Sequence, residues 1–263
     1  MRRAYQRALI TGATSGIGAA FADQLPATTS LLLPGRSEER LAAAAERLAR
    51  PGRTVETMLA DLADPAAVDA LAARADAFGI DLLINNAGLG PFGPFLDNPA
   101  ELERATTMVN VVAMVMLTRL LLPGMLQRAK ATNRRAGLII VASTAAFTPV
   151  PYFATYTASK AFDLNFAEAI AEELRCEPID VVALCPGPTR TTFGTSAGFD
   201  LSHLPGATDP VAVARAGLGG LGRGTIQVSG AVGQAAFVPV VWPRRLLTGA
   251  LGAAMRVVAA RRR

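Results

Sequence analysis

Short leucine-rich and β-branched runs alternate along this chain with stretches of helical character, and few architectures accept that rhythm. Runs near 7–11, 30–34, 54–60, 80–84, 137–142, 179–184 and 225–229 read as strands. They are almost continuously apolar, as strands covered on both faces are. Strand and helix in alternation lead to a parallel sheet wrapped by helices. The expected fold is therefore α/β: a doubly wound, parallel, seven-stranded sheet with helices on both faces. With 263 residues, 51% of them apolar, the chain can bury one large core. Residues 1–240 are expected to form one domain, extended by an amphipathic basic helix over 241–263.

Helix starts are written into the sequence. Asp64-Pro65, Asn98-Pro99 and Asp209-Pro210 each place a capping side chain before a proline suited to the first helical position. Glu101, three residues after Asn98, makes a variant of the capping box. Ser37, followed by Glu38 and Glu39, caps another helix and complements its dipole.

The first strand runs directly into Gly12-Ala13-Thr14-Ser15-Gly16-Ile17-Gly18 and then into an alanine-rich helix start. Glycines there let backbone N–H groups approach a pyrophosphate, and the helix N-terminus adds a favourable dipole. About twenty residues on, where an acid would bond the ribose 2′-hydroxyl of NAD, the chain has Pro34-Gly35-Arg36. The planar fork of an arginine pairs with a 2′-phosphate, so NADP is expected in preference to NAD.

TGATSGIG over 11–18 resembles the TGxxxGxG turn of the short-chain dehydrogenase/reductase family, a Rossmann-fold family, and further marks follow in order. Asp61-Leu62 resembles the acidic position that contacts adenine. Asn85-Asn86-Ala87-Gly88 matches the family's NNAG, and Asn110 falls where the family keeps a structural and catalytic asparagine.

Ser143 ends the fifth strand, and thirteen residues later comes Tyr156-Thr157-Ala158-Ser159-Lys160. Tyr156 and Lys160 are four apart on a predicted helix, so they share a face. A free phenol ionises near pH ~10, and a neighbouring ammonium favours the phenolate. The resemblance implies that Tyr156 is the general acid in reduction and that Ser143 bonds the substrate oxygen. It also implies that Lys160 contacts the nicotinamide ribose and that Asn110 holds a water in a proton relay. Leu184-Cys185-Pro186-Gly187-Pro188-Thr189-Arg190-Thr191 resembles the family's PG loop, which implies that Pro186, Gly187, Thr189 and Thr191 meet the nicotinamide carboxamide end. The resemblance covers residues 7 to about 192.

Beyond it, residues 193–209 are expected to form the substrate loop. Phe193, Phe199, Leu201 and Leu204 there fit an apolar carbonyl substrate, or serve equally as anchors to the core. The final helix repeats Leu246, Leu247, Ala250, Leu251, Ala254, Val257 and Val258 at helical spacing. It can fold back on its domain and close over the substrate pocket, pack in a homodimer, or lie on an anionic membrane surface as a peripheral contact. Pro243-Arg244-Arg245-Leu246-Leu247 resembles the ending of a subgroup of bacterial reductases, which implies lipid-like carbonyl substrates.

Several classes are disfavoured. Two cysteines, Cys176 and Cys185, make no secretory disulfide framework, so a cytoplasmic location is expected, with the inner membrane face as its peripheral variant. His203 is the single histidine, which argues against a zinc centre and against a Ser-His-Asp triad, and no metal is expected. No acid follows Asp209, but the arginines of the tail lack interleaved aromatics, so nucleic acid is not an expected partner. No eighteen-residue uninterrupted apolar run is present, and no membrane span is expected. The alternatives are a redox-inactive NADP sensor on the same fold, an epimerase or dehydratase of the longer-chained relatives, which the short length and glycine spacing disfavour, and a peripheral membrane protein with a structural cofactor.

Overall fold

The computed structural model describes residues 5–193 and 206–230. The stretch 194–205, with Phe199, Leu201, His203 and Leu204 of the expected substrate loop, lies outside the described residues, as does the expected C-terminal helix with all of 231–263. Seven strands form one sheet: β1 (Arg7–Ile10), β2 (Ser30–Gly35), β3 (Val55–Leu59), β4 (Leu82–Asn85), β5 (Ala136–Val141), β6 (Ile179–Pro186) and β7 (Ile226–Ser229). Their order is β3-β2-β1-β4-β5-β6-β7, and every pair is parallel. Leu9 is in register with Leu32 on one side and Leu83 on the other. Strand order therefore reverses beside β1, and the crevice at such a reversal is where ligands bind in open α/β sheets.

Side chains alternate between two cores. One face of the sheet presents Leu9, Leu32, Leu83, Leu138 and Ile140 to helices α3 (Pro65–Phe78), α5 (Met114–Thr132) and α6 (Ala154–Glu173). The other presents Ile10, Leu31, Leu33, Ile84 and Ile139 to α1 (Gly16–Gln24), α2 (Glu38–Leu48) and α7 (Pro210–Gly220). Each fully buried leucine or isoleucine of this kind stabilises the fold by roughly 1.5–3 kcal/mol relative to exposure. Such double burial explains why the strands read as unbroken apolar runs.

Three of the expected caps are present. Asp64 accepts from the backbone N–H of Ala66, Asp209 from Val211 and Ser37 from Arg40. Asn98 does not cap its helix: α4 (Ala100–Thr107) has Pro99 at the cap position, and the Asn98 amide donates instead to Glu103. The expected capping box with Glu101 is thereby displaced, because the proline falls one residue before the first helical turn.

Helix α4 runs without interruption through a π-helical turn, Met108–Ala113, into α5. By length and hydropathy alone the span Ala100–Thr132 could cross a membrane. In this fold Val109, Ala113, Leu117, Leu121 and Met125 of that span pack into the core beneath the sheet.

Candidate active site

The site is built from loops that follow the C-terminal ends of the strands. After β1 the chain turns at Gly12 (φ +68°) and Gly16 (φ +55°), left-handed conformations that favour glycine. A Cβ on Gly18 would lie 2.3 Å from the carbonyl oxygen of Gly12, so only glycine lets α1 start this close to the turn. Ser15, at the helix N-cap, makes no side-chain cap hydrogen bond. First-turn N–H groups of a helix lack intrahelical partners and suit an anion.

The turn is tied to the loop after β4. Thr11 Oγ1 accepts from the N–H groups of Asn86 (2.9 Å) and Ala87 (3.0 Å). The Asn86 amide donates back to the carbonyls of Thr11 (2.9 Å) and Gly12 (3.3 Å). From β6, the side chain of Thr191 lies against the same turn, 3.1 Å from where a Cβ on Gly16 would stand. Thr189 donates to the carbonyl of Gly187 at 2.9 Å and pairs with Thr208 in an isolated bridge.

These loops border a cleft of about 560 Å³. At one end stand Arg36, after β2, and Arg40, in the first turn of α2, with Asp61 and Leu62 after β3. Asp61 also accepts from the backbone N–H of Ala63 at 3.0 Å, which fixes its loop. At the other end stand Ser143, Tyr156 and Lys160. Every residue picked from the sequence as catalytic or cofactor-binding borders this one cleft except Gly18 and Asn110. Gly18 is buried at the start of α1, and Asn110 is buried in the π-helical turn.

Asn110 nonetheless organises the reactive end. Its Oδ1 accepts from the N–H of Leu89 at 2.8 Å, and its Nδ2 donates to the Leu89 carbonyl at 2.9 Å and to Ser159 Oγ at 2.8 Å. Ser159 donates in turn to the carbonyl of Tyr156 at 2.7 Å. The loop after β4 is thus clamped to the helix that carries Tyr156.

Tyr156 stacks on Phe153, with ring centroids 4.3 Å apart, and lies 5.3 Å from the ring of Phe193. Lys160 Nζ sits 5.9 Å from the tyrosine ring centre and donates to the Val141 carbonyl and to Asp163 Oδ2, each at 2.8 Å. Burial pushes the Tyr156 hydroxyl above its ordinary value of 10.0, while the Lys160 charge and a hydrogen bond with Ser143 pull it down. Lys160 acts in the expected direction, but burial is the larger effect and keeps the phenol protonated. Burial alone would lower Lys160; the Asp163 carboxylate, with Tyr156, outweighs it and leaves Lys160 raised. Cys185, behind the site, is pushed up to about 12, first by burial and then by Glu168. That makes it an inert thiol rather than a nucleophile.

Three contributors were missed in the sequence. Arg40 sits on the helix that Ser37 caps, so its place beside Arg36 was legible from that cap. Ser159, inside the Tyr156 to Lys160 segment, carries no signal apart from its position. Asp163 is one helical turn beyond Lys160 and reads from sequence as an ordinary polar helix residue.

Does a nicotinamide dinucleotide fit? The glycine turn permits close backbone approach, a Cβ at Gly88 would stand 3.7 Å from Lys160 Nζ, and cations at one end face a phenol and an ammonium at the other. The residues present fit such a group. Gly12, Thr14, Ser15, Gly16 and Ile17 would hold its pyrophosphate, and Arg36 with Arg40 would meet a 2′-phosphate.

The family model described as short chain dehydrogenase matches residues 6–200. A 1-deoxy-11-beta-hydroxypentalenate dehydrogenase of Streptomyces avermitilis is 38% identical over 191 residues, 70% of this chain and 68% of that protein. A short-chain dehydrogenase from Sphingobium yanoikuyae, solved in complex with NADPH, is 30% identical with a TM-score of 0.77, covering 96% of this chain and 94% of that one. A bulky-bulky ketone specific alcohol dehydrogenase from Comamonas testosteroni is 27% identical with a TM-score of 0.72, over 95% and 94% of the two chains.

Proposed function

This chain belongs to the short-chain dehydrogenase family and is an oxidoreductase acting on CH–OH or C=O groups; from that premise we propose that it reduces an apolar carbonyl substrate with NADPH in preference to NADH. One observation carries the reading: a single cleft joins Arg36 and Arg40 at one end to a half-buried Tyr156, its hydroxyl held protonated, at the other.

When bound, the reduced nicotinamide supplies the hydride. The rest falls to the chain. Ser143 hydrogen-bonds the substrate oxygen and holds the carbonyl at the reacting position. Tyr156 gives its hydroxyl proton to that oxygen as negative charge grows on it, which yields the alcohol and leaves a phenolate. Lys160 stabilises the phenolate through its charge until solvent returns a proton. Leu89, Phe92, Val150, Phe153 and Phe193 wall the cleft near Tyr156, favour apolar substrates and exclude water from the reacting end. The relatives bearing dehydrogenase names weigh against the redox-inactive sensor, as does the assembled Ser143, Tyr156 and Lys160 set.

The test is NADPH consumption with carbonyl compounds ranging from short polar ketones to long-chain 3-oxoacyl compounds, run beside Tyr156→Phe. Turnover of apolar members that Tyr156→Phe abolishes supports the reading; binding of NADPH without turnover by either protein overturns it.

A homodimer belongs to the same proposal. Val112, Met116 and Leu120 expose an apolar stripe along the π turn and α5, and Phe162 of α6 is exposed and stacked on Phe166. Sedimentation of the protein with Met116→Glu and Phe162→Glu tests it, a monomeric variant being the expected result. We propose a cytoplasmic location, with 241–263 folded back on its domain and peripheral membrane contact through that tail as the second reading. Fractionation with and without that tail checks the assignment.

A further inference from the structure

Lys160 and Asp163 form an ion pair whose side chains are only 6% and 2% exposed, the most deeply withdrawn pair among the described residues. A buried pair of this kind is a poor source of stability, because desolvating two charges consumes most of what their attraction returns. An apolar side chain at 163 would meet the apolar Val109, Ala113, Met114 and Leu117, which border the same small hollow, with less penalty. The carboxylate therefore calls for another reason.

Geometry supplies one. Of the three N–H donors of Lys160, one meets the Val141 carbonyl at the end of β5 and a second meets Asp163 Oδ2. The third has no acceptor among the described residues and is left for the cleft that Lys160 borders. Asp163 Oδ1 is buried with no hydrogen-bond partner among the described residues. Asp163 borders a hollow of about 10 Å³, roughly one water position, bordered also by Asn85, Asn110 and Thr11. Titratable groups facing the pair are Tyr156 from α6 itself and Cys185 from β6. The β4, β5 and π-helical elements present only the neutral Asn85 amide, the Val141 carbonyl and the neutral Asn110 amide.

We propose that Asp163 is a positioning residue for Lys160: it holds the buried ammonium charged and anchored against β5, so that its remaining N–H points to the cofactor side of Tyr156. Burial alone drives a lysine towards the neutral amine. A neutral Lys160 would neither support a phenolate nor hold a fixed orientation. The inference rests on the catalytic reading of Lys160, yet the charge of that lysine can be measured without turnover, so the two fail separately.

Lys130 and Lys160 are the only lysines, which makes the measurement direct. The full chain labelled with ¹³C-lysine gives two side-chain signals, assigned with Lys130→Arg. In the unmodified protein Lys160 should stay charged past pH 10.5, the ordinary lysine value. In Asp163→Asn its midpoint should fall by more than about one pH unit, and Asp163→Glu should restore most of the shift. With saturating NADPH, the carbonyl-reduction rate of Asp163→Asn should decline at lower pH than that of the unmodified enzyme, while Asp163→Glu follows the unmodified profile. A Lys160 midpoint below 10.5 in the unmodified chain, or an unchanged midpoint in Asp163→Asn, overturns the proposal. If Asp163→Asn does not fold, the unmodified titration and the Asp163→Glu profile decide it.

Discussion

The amide of Asn110 reaches Ser159 at 2.8 Å and thereby joins the π-helical turn to the helix that carries Tyr156. The same amide holds both backbone groups of Leu89. Asn110→Ala would leave buried partners unpaired, at roughly 1–3 kcal/mol per orphaned group. Expected outcomes are a lower unfolding temperature and a reduced kcat, with the milder Ser159→Ala showing the same pattern. Calorimetry and initial rates check both; an Asn110→Ala protein with unchanged kcat would remove Asn110 from the reactive end.

Cofactor choice should follow the two arginines. Charge-assisted hydrogen bonds are worth about 1.5–3 kcal/mol, so Arg36→Ala should lower kcat/KM for NADPH by roughly tenfold or more. The value for NADH should stay nearly constant. Arg40→Ala should act in the same direction. Equal losses with both nucleotides would contradict a 2′-phosphate contact.

Gly18→Ala should abolish nucleotide binding, because its new methyl would stand 2.3 Å from a backbone oxygen that cannot retreat without opening the turn. Fluorescence titration with NADPH reads the loss. Retained affinity would show that the turn deforms freely.

Alkali should destabilise the fold through Tyr156 and Lys160. Both have folded values raised above 10.0 and 10.5 respectively, so the native state holds protons that the unfolded chain releases. Stability is therefore constant below the unfolded values and falls as pH rises from there towards the folded ones. Thermal unfolding at pH 8 and above pH 10 should show the drop, and Tyr156→Phe should lose less. An equal drop in that variant would assign the effect elsewhere.

The two thiols should separate cleanly. Cys176 is exposed, whereas Cys185 is buried and pushed up to about 12. A thiol reagent at pH 8 should modify one cysteine in the native protein and two after denaturation. Two fast equivalents in the native state would show that the region behind Lys160 opens.

The sheet was legible because double burial leaves an unmistakable mark on its inner strands; all seven expected runs became strands, with ends moved by at most two residues, although the edge strands β3 and β7 are only partly buried. The site was legible for a related reason, since glycines at Gly12, Gly16 and Gly18 and a phenol one turn from an ammonium have few ordinary uses together. What escaped notice depends on pairing in space. Nothing along the chain marks Asp163 as the partner of Lys160, and nothing shows that Asn110 sits in a π turn rather than a regular helix. Asn98 misled because a capping side chain before proline is a local signal, and here Glu103 captured it.

A single oxygen, Thr11 Oγ1, receives two backbone N–H groups from the far side of the crevice. The walls that follow β1 and β4 are consequently pinned to one another just beyond the ends of those strands. Distance along that part of the groove is then graduated by the scaffold like a ruler, and a ligand is measured against it.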